Sequence, residues 1–336
     1  MREAPAVDLL TGSVLFRDSF LTGGRGHVDL PRLLSTGYRV VGMTVATSWP
    51  DAKGTWSRWH FRSLGLPRSA VSSPFTVAQW LIGRIERLCA ESAGRLVIVR
   101  SRADLERCVT PSGPVGILLG VQGGHVLEGD LRNIGRLREL GVRMFAPAHV
   151  MDNDIVGSGT GKHATGVTSF GRDVIRELEA NALIVDLAHM SVAGIEDVLP
   201  TLSGPFLLSH GAIRDESATR GRVRRYSAAT RNVPAAVAKG VGARGGLFGV
   251  VLATQLLGGE RLDDAVAMIR RALAAAGDAN VALGSDMDGA LRMLIDVEGL
   301  PALVDAMLAS GLDESVVSGF VGANAVRFLL GALPAS

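Results

Sequence analysis

Residues Ala182–His210 read ALIVDLAHMSVAGIEDVLPTLSGPFLLSH. Two apolar runs in it, ALIVDLA and PFLLS, are each closed by a histidine, His189 and His210. Continuous apolar runs of this length, without strict alternation, are what strands buried on both faces look like. The pattern continues outward in both directions. Upstream lie YRVVGMTVA from Tyr38, VGILLGV from Val115 and VRMFAPA from Val142; downstream lie GLFGVVL from Gly246 and VALGS from Val281. A weaker run, PAVDLL from Pro5, makes eight.

Helical spacing fills the intervals, as in LRNIGRLRELG before Val142, FGRDVIRELEANA before Leu183 and DDAVAMIRRALAAAG before Val281. The first and last of these end at a glycine that suits a helix C-terminus. Strand then helix, repeated, predicts a parallel sheet of the α/β class, and eight strands are the number that closes a (β/α)8 TIM barrel. The alternative, an open doubly wound sheet, is weakened because no GxGxxG follows an early strand. With no linker, repeat or low-complexity tract, the 336 residues read as one barrel domain spanning 1–336, a length such barrels reach.

Composition narrows the function classes. Apolar residues make up 47% and charged residues 20%, which excludes a disordered chain or a fibre. A net charge of +2 is too small for a general polyanion binder, although Arg220, Arg222, Arg224 and Arg225 form a local basic cluster. Nucleic acid is therefore not the expected partner. Two cysteines, Cys89 and Cys108, cannot build a disulfide framework. The N-terminus lacks the features of a secretion signal, and the uninterrupted apolar runs stop short of a membrane span of roughly 20 residues. These features predict a cytoplasmic protein with no membrane partner.

In such a barrel the chemistry sits where the strands end. The residues there are Gln122 after VGILLGV, His149 after VRMFAPA, His189, His210, and Asp286 after VALGS. A single histidine at a strand end is ordinarily a hydrogen-bonded rim residue. Three in succession with an aspartate point to a metal-dependent hydrolase, because neutral imidazoles suit zinc and a carboxylate can take a proton from metal-bound water. Arg214, four residues past His210, is close enough in sequence to hold a substrate carboxylate. Asp186 reads as a buried supporting carboxylate and Asp288 as a turn or cap residue. His125 and His163 read as loop residues and His60 as packing.

GVQGGHVL, LRELGVRMFAPAH, GVTSFGRDVIRELEANALIVDLAH, PFLLSHGAIR and ALGSDMDG together resemble the membrane (renal) dipeptidase family, with GHVDLPRLLSTG and GANAVRFL extending the likeness over nearly the whole chain. The resemblance implies an amidohydrolase-type barrel with a two-zinc site that cleaves dipeptides. Carried over by motif, His189 and His210 are metal ligands, His149 polarises the scissile carbonyl, Arg214 grips the substrate carboxylate and Asp286 shuttles the proton. The family's bridging glutamate is Gln122 here, and its His-x-Asp pair on the first strand is reduced to Ala6 and Asp8. Gln122 and Asp8 are thus weak ligand candidates, and the site is expected to bind one zinc ion rather than two, or none. His27 and Asp29 have the His-x-Asp spacing and could replace the missing pair.

Three readings follow: a dipeptidase-like metallohydrolase acting on a dipeptide or small amino-acid-derived amide, a repurposed enzyme of specialised metabolism on the same barrel, and an inactive binding homologue. Selective change at Ala6 and Gln122, with the other site residues kept, favours an enzyme. Pairing into a homodimer through outer helices is a further expectation.

Overall fold

The computed structural model describes residues 5–12, 19–24, 26–47, 57–215 and 228–336. Nine strands form one parallel sheet: β1 (Ala6–Thr11), β2 (Tyr38–Ala46), β3 (Leu96–Ile98), β4 (Val115–Gln122), β5 (Met144–Ala146), β6 (Ile184–Asp186), β7 (Phe206–Gly211), β8 (Leu247–Val250) and β9 (Val281–Leu283). Their order is β1-β2-β4-β5-β6-β7-β8-β9, with β3 off this path. The eight apolar runs are the eight strands of the path. Closure comes at the β1/β9 seam, where Thr11 bridges Met287, Gly12 N donates to Met287 O at 2.8 Å and Asp286 N to Leu10 O at 3.1 Å. The chain therefore has the nearly closed TIM-barrel architecture.

The unanticipated strand is β3. It pairs with Val115–Ile117 of β4, whereas β5 pairs with Gly120–Gln122. Two short strands thus share one edge of a long one.

The barrel interior is layered. Val7, Val40, Leu118, Met144, Ile184, Leu207, Leu247 and Ala282, one from each strand of the path, are buried in one cluster with Ala325 and Leu329 of the C-terminal helix. Above this plug the strands come too close for side chains. A Cβ on Gly42 would lie 2.0 Å from Leu9 O, and a Cβ on Gly249 or on Gly284 would lie 1.8 Å from Ser209 O. Above that layer stand the polar ends of the strands.

Helices at Arg132–Glu139, Ser169–Ala180 and Leu262–Ala276 occupy the segments with helical spacing. Thr168 caps the second by accepting from Gly171 N, and Gly277 ends the third at φ 88°. A helical run over Glu314–Ala332, 19 residues with mean hydropathy 1.4, reaches the length and composition of a membrane span without being one uninterrupted apolar run. Apolar residues on an amphipathic helix escape a count of uninterrupted runs. Here Phe320, Ala325 and Leu329 are buried, and the run packs against β1 and β9.

Candidate active site

His189 lies just past the end of β6 and His210 is the penultimate residue of β7, and both are buried. Their Nε2 atoms lie 3.0 Å apart. The rings of His149, His189 and His210 stack edge to face in sequence, with centroids 4.7 and 4.9 Å apart. His189 has φ 65°, a strained conformation for a non-glycine residue of the kind that functional sites retain.

Asp186 organises this cluster from below. Its carboxylate accepts from Ala188 N at 3.0 Å, Ser209 N at 2.9 Å and Ser209 Oγ at 2.6 Å. The Ser209 hydroxyl has one hydrogen, and Asp186 takes it. Ser209 Oγ, 2.8 Å from His210 Nδ1, therefore accepts from that nitrogen, which leaves the lone pair of His210 on Nε2 facing His189. His189 Nδ1 is buried without a partner. Burial, with Arg231 as the next cause, pushes both imidazoles well below the usual histidine range, so both are neutral and able to ligate.

Arg231 is the functional residue that the sequence did not reveal. It is 3% exposed, and its Nη2 donates to His210 O at 2.9 Å while Nε has no partner. Its charge acts on Asp186, His189, His210 and Asp286. Arg214 instead turns its Nε onto Asn232 O at 3.1 Å, and no interaction links it to the imidazoles or to Asp286 among the described residues. The cluster Arg220–Arg225 lies outside the described residues.

Asp286 follows β9 with φ 62°. Burial, with Asp8 adding and Arg231 opposing, pushes its carboxyl up to about 7. That is the range in which a carboxyl can both take and give a proton at neutral pH.

Asp8 is engaged in the barrel seam. It stands mid-strand, with Leu9, Leu10 and Thr11 still to come. Oδ1 accepts from Ser285 N at 2.8 Å and Leu10 N at 3.2 Å, and Oδ2 accepts from Ser285 Oγ. The pair locks the β1/β9 seam. Ala6 lies deeper still, at the start of the strand, so the mouth end of β1 is Leu10–Gly12. His27 Nδ1 is 2.9 Å from Asp288 Oδ1, and Asp29 caps the helix Leu30–Ser35 by accepting from Arg32 N.

The donor set does not fit a two-ion centre. Among the described residues no three His, Cys, Asp or Glu side chains stand together as a metal site, and Gln122, at the end of β4, offers a neutral amide. The His189–His210 edge suits one ion in part. A tetrahedral zinc with Zn–N of 2.0–2.1 Å holds two nitrogens about 3.3 Å apart, close to the 3.0 Å observed, and the Asp186–Ser209 chain is the support that ligating imidazoles use.

The family model for membrane dipeptidase, peptidase family M19, matches residues 4–332. The chain belongs to the peptidase M19 family. A relative described as an uncharacterised protein in the pqqA 5′ region of Klebsiella pneumoniae is 28% identical over 276 residues, covering 78% of this chain and 98% of its own. Among solved structures, a dipeptidase described as a family M19 metallopeptidase superimposes with a TM-score of 0.82 at 23% identity, covering 99% of this chain and all of that one. A metallopeptidase from Rhodobacter sphaeroides, liganded with a phosphinate mimic of the dipeptide L-Ala-D-Ala, gives 0.81 at 23% identity over 98% and 99% of the two chains. At these identities the likeness shows the barrel. The M19 assignment places the chain among metallohydrolases of dipeptidase type.

Proposed function

We propose that this M19 chain hydrolyses a dipeptide or another small amino-acid-derived amide at the mouth of its barrel. The observation that carries the reading is the buried Arg231, whose charge acts on two neutral imidazoles and on a carboxyl raised to about 7. A buried guanidinium with an unpartnered Nε is a receptor for a carboxylate, and burial strengthens that pairing. Arg231 therefore holds the substrate's terminal carboxylate. Asp286 takes a proton from the attacking water and returns it to the departing amine, and His149 donates to the carbonyl oxygen. His189 and His210 would hold one zinc ion, which when bound supplies Lewis acidity to water and carbonyl.

The test is elemental analysis of protein purified without chelator, followed by assay of a dipeptide panel that includes L-Ala-D-Ala, with and without added zinc. Cleavage with near one zinc per chain is the expected result. Absence of cleavage at every zinc level would refute the hydrolase reading and favour other proton-transfer chemistry at Asp286 and His149, or binding alone.

A further inference from the structure

Three buried polar side chains at the ends of β2 and β4 have no hydrogen-bond partner: Thr44 Oγ1, Thr47 Oγ1 and Gln122 Nε2. The residues are 5%, 0% and 5% exposed. Pairing places Thr44 and Gln122 on one face, because Ala46 lies opposite Gln122 and Thr44 opposite Gly120, and Thr47 directly follows Ala46 where β2 ends. A Cβ on Gly120 would sit 2.6 Å from Thr44 Cγ2, so the Thr44 side chain leans across the strand that carries Gln122. Gln122 in turn pairs with Ala146, at the end of the strand that leads to His149.

Buried groups of this kind are almost always satisfied, and an unsatisfied set calls for a missing partner. On the neighbouring strand, by contrast, Thr11 Oγ1 is satisfied, donating to Gly42 O at 3.1 Å. The set contains an amide N–H2 and two hydroxyls and no carboxylate. Such a set cannot neutralise a divalent cation, which hard cations of this kind require, but it can donate several hydrogen bonds to one oxygen.

We propose that Thr44, Thr47 and Gln122 form a neutral cradle that holds an acceptor oxygen of the substrate, the carbonyl oxygen of the scissile amide. The inference rests on the amide-substrate reading above. In place of a charge from a second ion, the chain supplies hydrogen-bond donors to the group on which negative charge develops. Gln122 is then a substrate-binding residue in its own right rather than the remnant of a metal ligand.

The test is calorimetric titration of the full-length protein with the phosphinate mimic of L-Ala-D-Ala, once after chelator treatment and once with one equivalent of zinc. Thr44→Val and Gln122→Leu are each expected to weaken binding roughly ten- to a hundredfold, the range for loss of a hydrogen bond to a charged group. The effect should appear in both conditions, and Thr44→Ser, which keeps the hydroxyl, should bind within about threefold of the parent. Binding by the parent that neither variant weakens would overturn the cradle and leave the substrate reading standing. Weakening by Thr44→Ser equal to that by Thr44→Val would also overturn it, since packing would then explain the loss. No binding by the parent in either condition would overturn the cradle and the amide-substrate reading together.

Discussion

Ser209→Ala is the most informative single substitution, because one hydroxyl joins Asp186 to His210. In the parent, Ser209 Oγ donates to Asp186 Oδ2 at 2.6 Å and accepts from His210 Nδ1 at 2.8 Å. Removing it strands a carboxylate oxygen and an imidazole N–H, in residues that are both 0% exposed. Each buried group left unsatisfied costs about 1–3 kcal/mol. Asp186 keeps its bonds from Ala188 N and Ser209 N, so the carboxylate side falls at the low end, and the sum is about 2–4 kcal/mol. The freed His210 can also take the tautomer that points a hydrogen at His189, so zinc affinity should fall about 10- to 100-fold. Denaturant unfolding at pH 7 after chelation reads the first effect, and competitive zinc titration reads the second. A stability change under about 0.5 kcal/mol, within the usual range for surface substitutions, together with unaltered zinc affinity would refute the relay.

Asp286 makes stability depend on pH in a definite direction. Its carboxyl is raised from 3.8 to about 7 in the folded state, so between those values the native state binds more protons than the unfolded one and stability falls as pH rises. The difference between parent and Asp286→Asn, measured by denaturant unfolding from pH 4 to pH 8, should grow in favour of the variant by up to about 4 kcal/mol; a flat difference would show the carboxyl to be ordinary. The comparison is needed because His189 and His210, with lowered values, impose the opposite slope as unfolded histidines charge below their usual 6.5. Arg231→Met should raise KM for a dipeptide by about tenfold or more, whereas Arg214→Ala should leave it within about twofold; steady-state kinetics that reverse this order would return the carboxylate to Arg214. Gly249→Ala places a methyl group 1.8 Å from Ser209 O and should destabilise the fold by about 3 kcal/mol or more; a melting temperature equal to the parent's would show that the barrel is looser than drawn.

Apolar runs made the barrel legible because each strand of the path is buried on both faces. The three-residue β3 escaped because LVI is too short an apolar run to stand out and is specified by the free edge of β4, a property of tertiary pairing. His189, His210 and Asp286 were legible as residues that break an apolar run. Arg231 was not, since TRNVP carries no apolar run that it would close, and its burial is set by tertiary packing that brings it to His210 O. The surroundings of Asp8 were not legible, because its bonds from Ser285 and the three residues of β1 that follow it are set by the β1/β9 seam. The spacing of His27 and Asp29 carried no information on geometry, because Asp29 is committed to a helix cap.

The close approach of backbones at Gly42, Gly249 and Gly284 separates two evolutionary accounts within one barrel. Below it, the apolar plug answers to folding; above it, the mouth answers to chemistry. With main chain as the partition between them, a residue at the rim can change from charged to neutral without reshaping what lies beneath. The chemistry of the mouth can then change while the scaffold stays fixed, so that a neutral amide at Gln122 leaves the architecture of an M19 barrel untouched.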